Sequence, residues 1–134
     1  MSKKGRRETK GQSKKLTPIP LMQIISGFWA SKTLAAAVDL DLFTKLSGKG
    51  VDVQELTQLL GLHPRPAEML LTACSALGLL EKKKGLYYNS PLAEEFLVRV
   101  KPYYFGGVIT MLDRRLYLPW NRLTEALKTN RAQT

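Results

Sequence analysis

The chain has 134 residues, 44% of them hydrophobic, and 21 Lys and Arg against 11 Asp and Glu give it a formal charge of +10. That length and apolar content suit one domain with a core of its own. No unbroken apolar run reaches about 18 residues, which by run length excludes a membrane-spanning chain, and the lone Cys74 excludes an internal disulfide scaffold.

Charge is concentrated at the start. Residues 1–20 hold seven basic side chains against Glu8, and almost no apolar ones before Leu16. Residues 1–15 therefore read as a disordered basic tail, with an ordered domain over 16–134. Pro18, Pro20 and Gln23 interrupt the apolar stretch that follows, and its pattern runs on past Lys32 with no cleavage boundary. A secretory signal is not indicated, and a cytoplasmic location is expected.

In chain order, the spacing predicts a helix over 21–30 carrying Ile24, Ile25, Phe28 and Trp29, then a second over 33–46. Asp52, with Glu55 three places on, predicts the capped start of a short helix that Gly61 stops. His63-Pro64-Arg65-Pro66 reads as a turn, with Pro66 opening a helix that ends at Gly78 and buries Leu70, Leu71, Cys74 and Leu77. The segments 79–81 and 86–88 flank Lys82-Lys83-Lys84-Gly85 and predict a hairpin with a basic tip. Ser90-Pro91 starts another helix, and a long helix bent at Pro119 is expected over 104–128. The predicted fold is mainly α: a winged helix-turn-helix with one small β-hairpin, flanked by extra helices at both ends.

Catalytic chemistry is sparse. His63 and Cys74 are the only residues of their types, so no Cys/His zinc site is available, and Cys74 sits on an apolar stripe as a core thiol. Asp39 and Asp41 point apart, and no glycine series makes a phosphate loop. No catalytic, cofactor-binding or metal-binding residue is assigned, and the chain alone is not expected to be an enzyme. A winged helix in a basic protein raises DNA binding, but the outward face of the 65–78 helix offers Arg65, Glu68, Thr72 and Ser75. One Arg offset by one Glu is a poor base reader, so no specific DNA is expected.

The terminal segment is apolar on two faces. Phe105, Val108, Ile109, Leu112, Leu116, Trp120, Leu123 and Leu127 form a stripe that reads as core, while Tyr104, Met111 and Leu118 recur every seventh residue on another face. A helix apolar on two faces needs cover twice, which points to a homodimer.

The segments GFWASKTLAAAVDLDLFTKL (27–46), VDVQELTQLLGLHPRPAEMLLTACSALGLLEKKKGLYYNS (51–90) and PLAEEFL (91–97) resemble a known domain. So do Tyr103-Tyr104-Phe105-Gly106-Gly107 and Trp120-Asn121-Arg122-Leu123. It is the N-terminal dimerisation domain of two-domain, S-adenosylmethionine-dependent O-methyltransferases of the plant caffeate and bacterial polyketide type. The resemblance covers roughly 20–134. Asp41 stands where the family usually has Gly, a change expected to be tolerable on a helix surface. The chain ends before the family's Rossmann-like catalytic domain, so its cofactor loop and catalytic histidine are absent here.

The resemblance implies a module that builds an intertwined homodimer and lines the pocket for a small-molecule acceptor, with Phe28, Trp29, Tyr104 and Met111 as contributors. S-adenosylmethionine is the cofactor expected of a full-length O-methyltransferase, not of this chain. No membrane partner is expected. A DNA-binding regulator, gripping phosphate with the tail and the hairpin tip, is the alternative.

Overall fold

A computed structural model describes residues 15–133, so the tail expected to be disordered lies, but for Lys15, outside the described residues. Helix α1 (Ile19–Ile25) and helix α2 (Gly27–Asp39) meet at Ser26. The predicted break near residues 31–32 is thus absent, and α2 runs through it. The second predicted helix instead breaks after Asp39: Asp41 takes the left-handed conformation, φ 62°, and a single turn, α3 (Leu42–Lys45), follows.

Strand β1 (Val51–Asp52) leads into α4 (Val53–Leu60), and the Asp52 side chain accepts from the Glu55 N–H at 2.8 Å. That satisfies one of the four donors a helix start leaves open. Gly61, φ 68°, ends α4 as expected. Helix α5 (Pro64–Ala76) begins two residues earlier than predicted, because Pro64 occupies the first helical position, where a missing N–H costs nothing. Its buried side is Ala67, Leu71 and Cys74; of the residues expected inside, Leu70 is half-buried and Leu77 is exposed.

Strands β2 (Leu80–Lys83) and β3 (Leu86–Asn89) form the hairpin, with both loop residues at positive φ, Lys84 at 52° and Gly85 at 80°. This is the type I′ pattern, whose twist matches that of the strands. The sheet has a third strand that the sequence pattern does not reveal: β1 pairs antiparallel with β3, Val51 opposite Tyr87, giving the order β1-β3-β2. Helix α6 (Pro91–Phe96) is capped by Ser90, whose Oγ accepts from the Ala93 N–H. The succession α4, α5, β2, β3 is that of a winged helix-turn-helix. The core lies between it and α2–α3, around Leu42, Phe43, Leu46, Leu56, Leu71 and Tyr87.

The terminal segment is helical but not one helix. Helix α7 (Gly106–Met111) passes into a π-helical turn (Leu112–Leu116), a 3-10 turn (Leu118–Arg122) around Pro119, and α8 (Leu123–Thr129). Helix α7 packs against α2 and sends Ile109 to the core. Beyond it no residue from Leu112 to Thr129 is buried, so most of the stripe read as core faces outward. Helix α1 has no buried residue either.

One exclusion changes. The 21 residues Ile19–Asp39 are long and apolar enough to cross a bilayer by length and composition, which the run-length criterion missed because polar residues are scattered through them. Ala35, Ala37 and Val38 nevertheless anchor the second half of α2 in the core. The part that needs cover is α1 and the first turns of α2.

Candidate functional site

The four residues expected to line an acceptor pocket fall into two pairs. Phe28 and Trp29 occupy the first turn of α2, both exposed, with ring centroids 5.7 Å apart in an edge-to-face arrangement. They share an apolar hollow with Ile19, Met22 and Ile25 of α1. Tyr104 and Met111 bracket α7 and line a different cleft with Val38, Asp39, Arg114 and Arg115. The Tyr104 phenol lies against Gly106, where a Cβ would collide with it, and the Arg99 guanidinium sits 5.8 Å from the ring centroid. Among the described residues, these two hollows keep the pairs apart.

A third hollow was missed in the sequence. It is an apolar cleft of about 330 Å³ between α2 and the terminal segment, walled by Leu34, Ala35, Ile109, Leu112, Leu116 and Trp120. At its edge Lys32 pairs with Asp113 and lies 4.6 Å over the Tyr117 ring. Leu112, Leu116 and Trp120 were read as core, so no apolar count could have marked them as the wall of a groove. The one sequence signal was the pair of opposite charges at 32 and 113, too far apart in the chain to be matched without the fold.

Charges hold the elements in register. Arg99 Nε donates to Asp41 at 2.8 Å, and Arg114 Nη2 donates to Asp39 at 2.9 Å. Both pairs are screened by solvent and add little to stability. Asp39 and Asp41 are thus ion-pair partners of separate arginines, not an acid/base couple. Asn89 Nδ2 and Ser47 Oγ donate to the Glu94 carboxylate, tying the exit of the hairpin to the loop after α3. Burial pushes the Cys74 thiol up to about 11, and it is fully buried, which suits a core thiol and not a nucleophile.

The outward face of α5 keeps Arg65, Glu68 and Thr72 exposed, whereas Ser75 is half-buried and donates to the Leu71 carbonyl. At the hairpin, Lys82 and Lys83 fold back over Tyr87 and Tyr88, at 5.3 and 5.8 Å from the ring centroids. On the α5 face Arg65 is the one fork of donors, with Glu68 beside it.

Known proteins share this pattern. A family profile described as the O-methyltransferase dimerisation domain matches residues 22–99. The chain is 45% identical over 113 residues to 3-hydroxy-5-methyl-1-naphthoate 3-O-methyltransferase of Streptomyces sahachiroi, covering 84% of this chain and 33% of that protein. It is also 45% identical over 117 residues to the tetracenomycin polyketide synthesis 8-O-methyl transferase TcmO of Streptomyces glaucescens, covering 87% and 34%. The crystal structure of human N-acetylserotonin methyltransferase in complex with SAM superposes with a TM-score of 0.81 at 27% identity, over 91% of this chain and 37% of that one. The chain therefore spans about a third of the length of the curated relatives it matches. With the profile covering more than half of its residues, from α1 to the turn after α6, this chain belongs to the O-methyltransferase dimerisation domain family.

Proposed function

We propose that these residues join two subunits of an S-adenosylmethionine-dependent O-methyltransferase into an interlocked homodimer, and wall part of the pocket for an aromatic acceptor. The observation that carries this reading is the absence of any buried residue in α1 and from Leu112 to Thr129. Both stretches are rich in large apolar side chains, Ile24 and Ile25 being about three-quarters exposed. Burying each is worth about 1.5–3 kcal/mol, and two-fold symmetry makes every such contact count twice. Phe28 and Trp29 would meet Tyr104 and Met111 across subunits, one pair supplied by each chain.

The residues here do not fit the cofactor. Among the described residues the strands form one small antiparallel sheet, with no parallel strand running through a Gly-rich loop into a helix. In this reading the methyl donor is held by other parts of a longer protein, and these residues position the acceptor and keep water from it. A cytoplasmic setting belongs to the same proposal, supported by the single unpaired Cys74.

Tryptophan emission tests the pairing. The chain has two Trp, so Trp120→Phe leaves Trp29 as the sole reporter. At tens of micromolar its emission should be blue-shifted, moving to the red on dilution as the pair separates. Emission of a fully solvated indole at every concentration would overturn the proposal.

A further inference from the structure

Of the four residues read as lining an acceptor pocket, Phe28, Trp29 and Met111 are exposed, whereas Tyr104 is half-buried. Two neighbours hold its ring. One is Gly106, buried at the first position of α7, where a Cβ would collide with the phenol. Its φ is not positive, so the missing side chain serves space and not backbone conformation; at Gly107 a Cβ would meet nothing within 4 Å. The other neighbour is Arg99, whose guanidinium lies 5.8 Å from the ring centroid, within reach of a cation–π contact. Arg99 is tied twice to the stretch that joins α2 to α3. Its backbone N–H donates to Thr44 Oγ1 at 3.0 Å, and its Nε donates to Asp41 at 2.8 Å. An arginine left free spreads over many rotamers, whereas one bonded to a carboxylate keeps its plane.

We propose that Asp41, Arg99 and Gly106 are positioning residues, which together set the Tyr104 phenol as a fixed wall of the cleft of about 490 Å³ that it shares with Val38 and Met111. This rests on the acceptor-lining reading above and adds to it the residues that shape the wall before an acceptor arrives. Each residue type suits its task. Gly106 leaves room that Ala would fill. Arginine offers a planar cation that lies against a ring while donating from its edge. Asp41 tolerates the left-handed joint, φ 62°, and still supplies a carboxylate. A ring fixed in advance spares the ordering cost that a loose one adds to binding.

Proton–carbon spectra of the 134-residue chain with 13C-labelled tyrosine test the proposal, the Tyr104 ring signal being identified by its loss in Tyr104→Phe. In wild type that signal should lie apart from those of solvated tyrosines. It should move toward them in Arg99→Met, in Gly106→Ala, and in Asp41→Gly, which keeps the left-handed joint without the carboxylate. Asp41→Asn, whose amide oxygen can still accept from Nε, should stay nearest to wild type. Lys83→Met, which uncovers Tyr88 instead, should leave the Tyr104 signal in place. Circular dichroism of each variant checks that it folds. With 1-naphthol as a neutral aromatic probe, the wild-type signal should shift, and Asp41→Gly should bind about threefold more weakly because its ring is ordered only on binding. A Tyr104 signal that stays in place in both Asp41→Gly and Arg99→Met would overturn the positioning role, even where naphthol binds. Substitutions that move the signal in a chain whose Tyr104 does not respond to naphthol would overturn the acceptor-lining reading, and with it any part of these contacts in binding.

Discussion

At Asp41 the backbone turns through φ 62°, ψ 33°, a conformation that only Gly adopts freely and that Asp and Asn tolerate better than other residues. The change from the family's usual Gly therefore falls on the joint between α2 and α3, not on a helix surface. The sequence hid this because Leu40 and Leu42 keep the apolar spacing going across the joint. What the Asp gains is its bond to Arg99, whose backbone N–H also donates to Thr44 Oγ1 at 3.0 Å. Left-handed strain of about 1 kcal/mol thus stands against a solvent-screened pair. Asp41→Ala, which keeps the strain and loses the pair, should be less stable than Asp41→Gly by about 1 kcal/mol in urea denaturation. Equal stability of the two variants would mean that the joint is not under strain.

Glu94 is a second residue whose role appears only in the fold. Burial pushes its carboxyl up, but hydrogen bonds from Asn89, Ser47 and the Gly48 backbone, with the charge of Lys101, outweigh this and hold it below the ordinary 4.5. A depressed folded pKa stabilises the fold fully above the unfolded value, and that contribution is lost as pH falls through the folded one. Melting temperatures of wild type should therefore drop between neutral pH and pH 3 more steeply than those of Glu94→Gln. Parallel profiles would remove Glu94 from the account of acid stability.

At the scale of elements, local signals were the readable ones. The Asp52 and Ser90 caps, the Gly61 stop and the hairpin each need only a few neighbouring residues, and each is where the pattern put it, except that Lys82 and Lys83, read as part of the tip, are paired residues of β2. Strand β1 was not legible, because two residues carry no alternation; Val51 is extended since β3 offers it a free edge and the core takes its side chain. The long terminal helix failed for a related reason. Periodicity marks which residues are helical but not where a π turn and a 3-10 turn interrupt them, and Pro119 accounts for only the second. The four acceptor residues were read as one group because their separation into two hollows depends on how α1 and α7 lie against α2.

The hairpin loop offers an element-scale prediction. A type I′ turn favours Asn before Gly, and Lys84 holds the first loop position at φ 52°. Lys84→Asn should stabilise the chain by about 0.5 kcal/mol or more, read from the denaturation midpoint. A loss of stability would show that the fold of this loop depends on the lysine side chain itself.

At the scale of the whole molecule, the chain divides into a closed part and an open part. The winged helix closes on α2 and α3 around fully buried Leu42, Phe43, Leu46, Leu56 and Leu71. Helix α1 and the stretch from Leu112 to Thr129 have apolar surface that this core does not reach. On the proposal above, a second copy would cover such surface, each contact being made twice about the two-fold axis, and the open part of each chain would complete the other. The charge at the tips of this surface fits that arrangement, since Lys32 is already neutralised by Asp113 and need not be desolvated alone.

Light scattering of the chain at tens of micromolar, beside the double variant Met111→Glu and Leu118→Glu, measures this most directly. Met111 and Leu118 are exposed in the single chain, so the glutamates cost the isolated fold little. In a dimer they put carboxylates where apolar contacts are needed, at several kcal/mol for the pair, of which Arg114 and Arg115 beside Met111 offset only part. The account predicts about twice the chain mass of 15.1 kDa for wild type and the single-chain mass for the variant. A wild-type mass of 15.1 kDa at that concentration would contradict it.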